Sequence, residues 1–163
     1  MVEAPEERYE EEFLEADRRL GEAGFEHYEV SNFGRPGARA RHNSAYWSGA
    51  AYGGIGPAAH EYDGSRRRWN VAPYSELLRR LDREKDPVGG EETLTDEERG
   101  AEAVYLGLRT VDGLRANPEE SARIEGWIDA GWAEKDGDRV RLTPPGWLRL
   151  DSLATGLTVV RSP

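Results

Sequence analysis

The sequence predicts an α/β segment followed by a mostly helical, winged-helix-like module, and three observations carry that expectation. An acidic amphipathic helix leads directly into a short aromatic and β-branched stretch, Phe25-Glu26-His27-Tyr28-Glu29-Val30, as in an α/β repeat. Thr95 with Glu98 three residues later forms a capping-box signature that opens the second half. Lys135-Asp136-Gly137-Asp138 then supplies a tight-turn signal between helical stretches.

The elements follow in order. From Pro5 to Leu20, Tyr9, Phe13, Ala16 and Leu20 recur at helical spacing among glutamates, and Gly21 and Gly24 end the pattern. The stretch Phe25 to Val30 reads as a strand at the end of a larger layer. Asn32 to Gly56 reads as loop, rich in Gly, Pro, Ser and Asn but studded with Phe33, Tyr46, Trp47 and Tyr52. After Pro73, the residues Tyr74, Leu77, Leu78 and Leu81 mark a second amphipathic helix, which Pro87, Gly89 and Gly90 terminate before a linker. Leu94 occupies the staple position of the capped helix, whose Ala101, Val104, Tyr105 and Leu108 face one way. Asn117-Pro118 caps a further helix with a buried stripe of Ile124, Trp127 and Ile128, stopped by Gly131. Trp132 to Glu134 and Arg139 to Leu142 form a hairpin, and Thr143-Pro144 opens a last helix carrying Trp147, Leu148, Leu150 and Leu153. Helix, helix, hairpin, helix is the order of a small winged-helix-like module.

Composition narrows the chemistry. The 163 residues are 37% hydrophobic, enough for one ordinary domain or two small ones. A formal net charge of -10 repels phosphate backbones and anionic lipid, so a nucleic-acid partner is not expected. Glu119, Glu120, Glu125 and Asp129, around the helix before the hairpin, oppose a DNA-binding winged helix for the same reason. With no cysteine, the chain has no disulfides, thiolate nucleophiles, zinc ribbons or cysteine-ligated clusters. Met1 to Glu12 is acidic and lacks a basic n-region and an apolar h-region, and no later segment is apolar for long enough to span a bilayer. A soluble cytoplasmic protein is expected. Asp96, Glu97 and Glu98, like Glu119 and Glu120, fall in first helical turns and complement the helix dipole rather than form acid–base pairs.

Several segments carry a family resemblance. Tyr28-Glu29-Val30-Ser31-Asn32-Phe33 with Arg35-Pro36-Gly37, then Arg41-His42-Asn43-Ser44-Ala45-Tyr46-Trp47, look like the Y-E-[IV]-S-N-F-A-[KR]-P-G and H-N-x-x-Y-W stretches of HemW-type proteins. These form the haem-chaperone branch of the radical S-adenosylmethionine coproporphyrinogen-oxidase family. Tyr52-Gly53-Gly54-Ile55-Gly56-Pro57-Ala58-Ala59-His60 resembles the family's Y-x-G-[IL]-G-P-x-A-H stretch, and Arg68-Trp69-Asn70 its continuation. Leu106-Gly107-Leu108-Arg109 with Asp112-Gly113-Leu114, and Arg141-Leu142-Thr143-Pro144-Pro145-Gly146, are similar to its later motifs. One departure is Ala40, where family members often carry cysteine before R-H-N.

The resemblance implies an incomplete TIM-like (β/α) barrel followed by a helical C-terminal domain, with residues 1–71 as the terminal part of the barrel and 72–163 as the helical domain with its hairpin wing. It implies haem as cargo, a haem-acceptor protein as partner, and delivery that includes peripheral contact at the membrane. It also implies S-adenosylmethionine and a [4Fe–4S] cluster held largely by a preceding barrel half, whose cluster cysteines this chain lacks. Such a chain is not expected to be a competent radical enzyme by itself. The alternative within the family is a part of oxygen-independent coproporphyrinogen III dehydrogenase, but that branch typically carries an R-N-F-Q-G-Y-like sequence where His42-Asn43-Ser44-Ala45-Tyr46-Trp47 stands here.

His42, Asn43, Tyr46 and Trp47 are therefore the candidate haem-binding residues. A neutral imidazole at His42 can supply a lone pair to haem iron while aromatics cover the macrocycle; alternatively His42 and Asn43 brace a loop that Tyr46 and Trp47 pack. Ser31, Gly54, Ile55, Gly56 and Ala58 are the candidates for adenosylmethionine contact, since glycine allows a backbone to approach a ligand closely, although a strand-to-loop transition uses glycine for conformation alone. Arg66-Arg67-Arg68 reads as a solvated loop or as a holder of carboxylate or phosphate. The spacing of His27, His42 and His60 offers no compact ligand pair.

Overall fold

The computed structural model describes residues 6–161 as a mixed α/β chain. Helix α1 (Glu6–Glu22) leads into β1 (Glu26–Glu29) and β2 (Asn32–Gly34), which pair antiparallel. The helical reading from Pro5 is met from Glu6 on; Pro5 itself lies outside the described residues. Helix α2 (Arg41–Trp47) follows, then β3 (His60–Tyr62), β4 (Arg66–Asn70), α3 (Tyr74–Leu81) and β5 (Val88–Thr93). Strands β3, β4 and β5 form one antiparallel sheet with β4 at its centre, a sheet that joins residues on both sides of Val71.

Helix α4 (Asp96–Arg109) comes next, then β6 (Leu114–Arg115), a short 3-10 turn at Pro118–Glu120, and α5 (Ser121–Asp129). The chain closes with β7 (Ala133–Asp136), β8 (Arg139–Leu142), α6 (Pro144–Trp147) and α7 (Leu150–Arg161). Strand β8 pairs with β7 across a Gly137-Asp138 turn and with β6 on its other edge. Every strand pair among the described residues is antiparallel, and they close no barrel.

The core sits in the second half. Val104 and Leu108 of α4, Ile124 and Trp127 of α5, Val140 and Leu142 of β8, Trp147 of α6 and Leu153 and Leu157 of α7 pack into one buried cluster, against which Phe13 of α1 and Val30 lean. The expected capping box is complete: the Thr95 hydroxyl accepts from the Glu98 N–H, and the Glu98 carboxylate accepts from the Thr95 N–H at 2.8 Å. Gly113 has a φ of 71° where the chain leaves α4, and a Cβ there would stand 2.6 Å from the Val140 carbonyl oxygen, so glycine is required for β6 to lie against β8.

Four details correct the sequence reading. The stretch Asn32–Gly56 is not all loop, because Asn32–Gly34 pairs as β2 and Arg41–Trp47 is helical. Val88–Thr93 is a strand, not a linker, and Gly90 serves it because a Cβ there would meet the Trp69 indole of β4. Arg66, Arg67 and Arg68 lie in the central strand β4, with carboxylates from β3, β5 and beyond facing them; Arg67 pairs with Glu92 at 2.9 Å and Glu102 at 2.7 Å. Ile128 is 37% exposed and does not extend the buried stripe of Ile124 and Trp127.

The end of α7 is tied to the start of α5 by charge. The wholly buried Glu120 carboxylate accepts from Arg161 Nε at 2.5 Å and Nη2 at 3.0 Å, and from the Asn117 N–H at 2.7 Å. Burial pushes this carboxyl up, but Arg161 and the Asn117 N–H outweigh it and hold it below the ordinary carboxylate range. A depressed folded value means that the contribution to stability is complete above the unfolded value of about 4.3 and is lost as pH falls through the folded one. Glu120→Gln is expected to lose about 3 kcal/mol of unfolding free energy at pH 7, since Arg161 is left without its partner. Urea denaturation across pH 2–7 should show a shallower acid dependence in the variant, and parallel profiles would refute the assignment.

Candidate functional site

The residues singled out at the H-N-x-x-Y-W stretch all ride on α2. This helix has no buried residue and no side-chain N-cap at Ala40, so its position depends on what its C-terminal end touches. There the Arg109 guanidinium lies 4.2 Å from the Trp47 ring centroid, and Arg109 in turn faces the wholly buried Glu29 carboxylate, Nε to Oε2, at 3.2 Å. The same arginine donates to the Ser31 hydroxyl at 3.0 Å, and the Asn32 side-chain amide donates to Glu29. Backbone bonds reinforce the junction: the Val30 N–H donates to the Arg109 carbonyl at 3.1 Å and the Val111 N–H to that of Tyr28 at 3.2 Å. The Tyr28–Asn32 and Leu106–Arg109 segments therefore meet around one buried ion pair, capped by the Trp47 indole.

His42 is exposed one turn earlier on α2, and its ring meets Tyr46 edge-on at 5.6 Å. Tyr46 stacks on Tyr52 at 4.3 Å, and Tyr52 approaches Tyr62 at 6.2 Å. Reciprocal backbone bonds of 2.9 Å between Tyr52 and Tyr62 hold this aromatic row to β3. Burial, and then Tyr46, raise the Tyr52 phenol above its ordinary range, so it remains a neutral donor at physiological pH. Tyr46, Trp47, Tyr52 and Tyr62 line one side of an open cleft of about 760 Å³ whose other side is α4. His42 and Asn43 do not line it; Tyr46 connects the imidazole to its wall.

The second group of candidates lies elsewhere. A Cβ on Gly54 would stand 2.7 Å from the His60 carbonyl oxygen, so the chain's own backbone fills the space that glycine leaves. The Gly56 carbonyl accepts from the Asn70 side-chain amide at 2.9 Å, and the Ala58 N–H donates to Val71 at 3.2 Å. Ala58 has a φ of 53°, a left-handed conformation that costs a non-glycine residue about 1–2 kcal/mol. Ile55, between the two glycines, is 96% exposed. Ser31 joins the Arg109 junction rather than this loop.

The other histidines have local partners. His27 Nδ1 lies 2.9 Å from Asp17 and its ring stacks on Phe33 at 3.9 Å, while His60 faces Trp69 at 5.7 Å. Among the described residues, no group of three or more His, Asp or Glu side chains is placed to hold a metal ion. No helix of the described residues is long and apolar enough to cross a membrane. Arg67 of the Arg66-Arg67-Arg68 run lines the cleft, whereas Tyr62, Arg99, Arg115 and Arg139 escape sequence reasoning because they come from elements scattered over the chain.

Comparison with known proteins gives a consistent result, although no family model matches the sequence. A haem chaperone HemW of Mycobacterium tuberculosis is 40% identical over 147 residues, covering 86% of this chain and 37% of that protein. A haem chaperone HemW of Synechocystis is 33% identical over 154 residues, with the same shares of 86% and 37%. The chain thus spans little more than a third of the curated relatives it matches. Among solved structures, the coproporphyrinogen III oxidase HemN of Escherichia coli, titled a radical SAM enzyme, aligns with a TM-score of 0.63 over 90% of this chain and 40% of that one. Its 14% identity makes this a likeness of fold.

The Glu29–Arg109 junction yields a direct test. Arg109→Ala leaves a buried carboxylate unpaired and is expected to cost about 3–5 kcal/mol in urea denaturation. Combining it with Glu29→Gln should recover part of that loss, and strictly additive losses would show that the two side chains are not coupled.

Proposed function

We propose, starting from a chain related in sequence to the HemW-type haem chaperones, that it forms the C-terminal part of a haem-handling protein and that α2 presents haem to its acceptor. The observation that carries this reading is the exposed His42 imidazole, set edge-on to Tyr46 at the head of the Tyr46-Tyr52-Tyr62 row. Haem is cargo here. A neutral imidazole supplies the lone pair an iron needs, and the tyrosines offer apolar faces with polar rims on which a macrocycle can rest. Trp47, clamped by Arg109, holds α2 in place, and Asn43 sits beside His42 on the same helix. Release to an acceptor protein is favoured by a site this open. The acidic charge of -10 supports a protein acceptor over nucleic acid.

The residues fit the family's other groups unequally. A cluster of the [4Fe–4S] type takes three thiolates in this family, and a chain with no cysteine provides none. Toward S-adenosylmethionine, Gly54 and Gly56 are already engaged by the chain's own backbone and by Asn70, whereas the exposed Ile55 is free to cover an apolar part of that cosubstrate, with Ala58 three residues on and Ser31 held apart at the Arg109 junction. We therefore read residues 1–71 as completing a barrel built mainly by a preceding half, and 72–163 as a helical domain whose β7–β8 hairpin is a wing. Radical chemistry would belong to the assembled barrel.

The test is a haem titration of the purified chain followed by Soret absorbance, beside His42→Ala. Saturable binding with a shifted Soret band is expected, together with loss of that shift in the variant. A folded chain that binds no haem, or a variant with an unchanged spectrum, would overturn the assignment of His42.

A further inference from the structure

The cleft beside α2 carries a feature that iron ligation does not use. Four arginines line it: Arg67, Arg99, Arg115 and Arg139. Arg67 is neutralised by Glu92 and Glu102, Arg99 by Asp96 and Arg115 by Asp138. Arg139 has no carboxylate partner among the described residues. Its Nη1 donates to the carbonyls of Asp112 at 3.2 Å and Gly113 at 2.9 Å, which fix the guanidinium and leave its remaining N–H donors uncommitted there. A smaller pocket of about 310 Å³ adjoins the cleft and shares Trp47, Ser48, Gly107, Gly113 and Arg139 with it. The Trp47 Nε1 beside this boundary is buried and has no hydrogen-bond partner.

A positioned cation at the end of an aromatic wall is complementary to a flat apolar ligand that bears carboxylates. The volume of about 760 Å³ lies within the range of small-molecule pockets, roughly 300–1,000 Å³. We propose that this cleft seats the carboxylate-bearing edge of a tetrapyrrole, with Arg139 as the cation that binds the carboxylate. The assignment rests on the reading of haem as cargo but does not depend on the iron. A planar guanidinium held by backbone carbonyls is suited to a bidentate carboxylate, and Tyr46 links this seat to His42.

The experiment uses metal-free protoporphyrin IX and its dimethyl ester, each titrated by porphyrin fluorescence into the full chain, Arg139→Gln and Ala103→Trp. Ala103 is an exposed residue of α4 on the cleft wall, so its tryptophan variant fills the cleft without disturbing Arg139 or the core. Saturable binding of the free acid is expected, weakened about tenfold by Arg139→Gln and abolished by Ala103→Trp, in variants whose urea transitions match the parent. The ester should bind the parent and Arg139→Gln equally. Because this porphyrin carries no iron, its binding reports on the seat alone and not on ligation by His42. No binding of the free acid, equal affinity in Arg139→Gln, or an ester that suffers the same loss would overturn the proposal, and the Soret result with haem would stand independently.

Discussion

A carboxylate with no access to water organises the front half of this chain. Glu29 is wholly buried at the end of β1, and an isolated charge there would be prohibitive, so Arg109 must arrive from the last turn of α4. Once it does, the ends of β1 and α4 are in register, as the bonds from Val30 to Arg109 and from Val111 to Tyr28 record. The guanidinium then offers its face to Trp47, the contact that seats an otherwise weakly anchored α2. The orientation of His42 is inherited from a charge pair that it never touches.

Charge satisfaction also explains why β4 was hidden from sequence reasoning. Three consecutive arginines carry no alternating apolar pattern, and hydrophobic period is the main strand signal. In the sheet each finds carboxylates on neighbouring segments: Arg66 faces Asp63 and Glu91, Arg67 faces Glu92 and Glu102, and Arg68 faces Glu61 and Asp86. Strand β5 was masked by Gly89 and Gly90, which read as terminators until the Trp69 ring is seen to need the room. The elements that were legible have local causes. Thr95 and Glu98 cap α4 within one turn, the Asp-Gly turn closes β7 on β8, and the apolar spacing of α1 and α3 follows one helical period.

The same division applies to the candidate site. His42, Tyr46 and Trp47 were legible as a contiguous motif, and the helix places them together. Arg139 was not, because nothing about an arginine at the start of a hairpin strand distinguishes it from its neighbours in sequence. Its distinction is that no carboxylate among the described residues pairs with it in three dimensions, because Arg115 takes Asp138 and Arg39 takes Asp112. The Gly54–Gly56 loop illustrates the opposite case: spacing suggested room for a ligand, and the His60 carbonyl occupies part of it.

The long reach of the Arg109 junction has a consequence for how the protein is made. In sequence, 78 residues separate Ser31 from Arg109, and Glu29 waits for the same partner. At about 5–20 residues per second, a ribosome takes roughly 4–16 s to add that much chain. β1 throughout that interval, and the α2 motif from Trp47 onward, have been synthesised but lack their clamp, and the Glu29 carboxylate remains hydrated. Assembly of the front half is thus timed by the emergence of the back half, and any cargo that needs an ordered α2 meets it only after α4 has been translated.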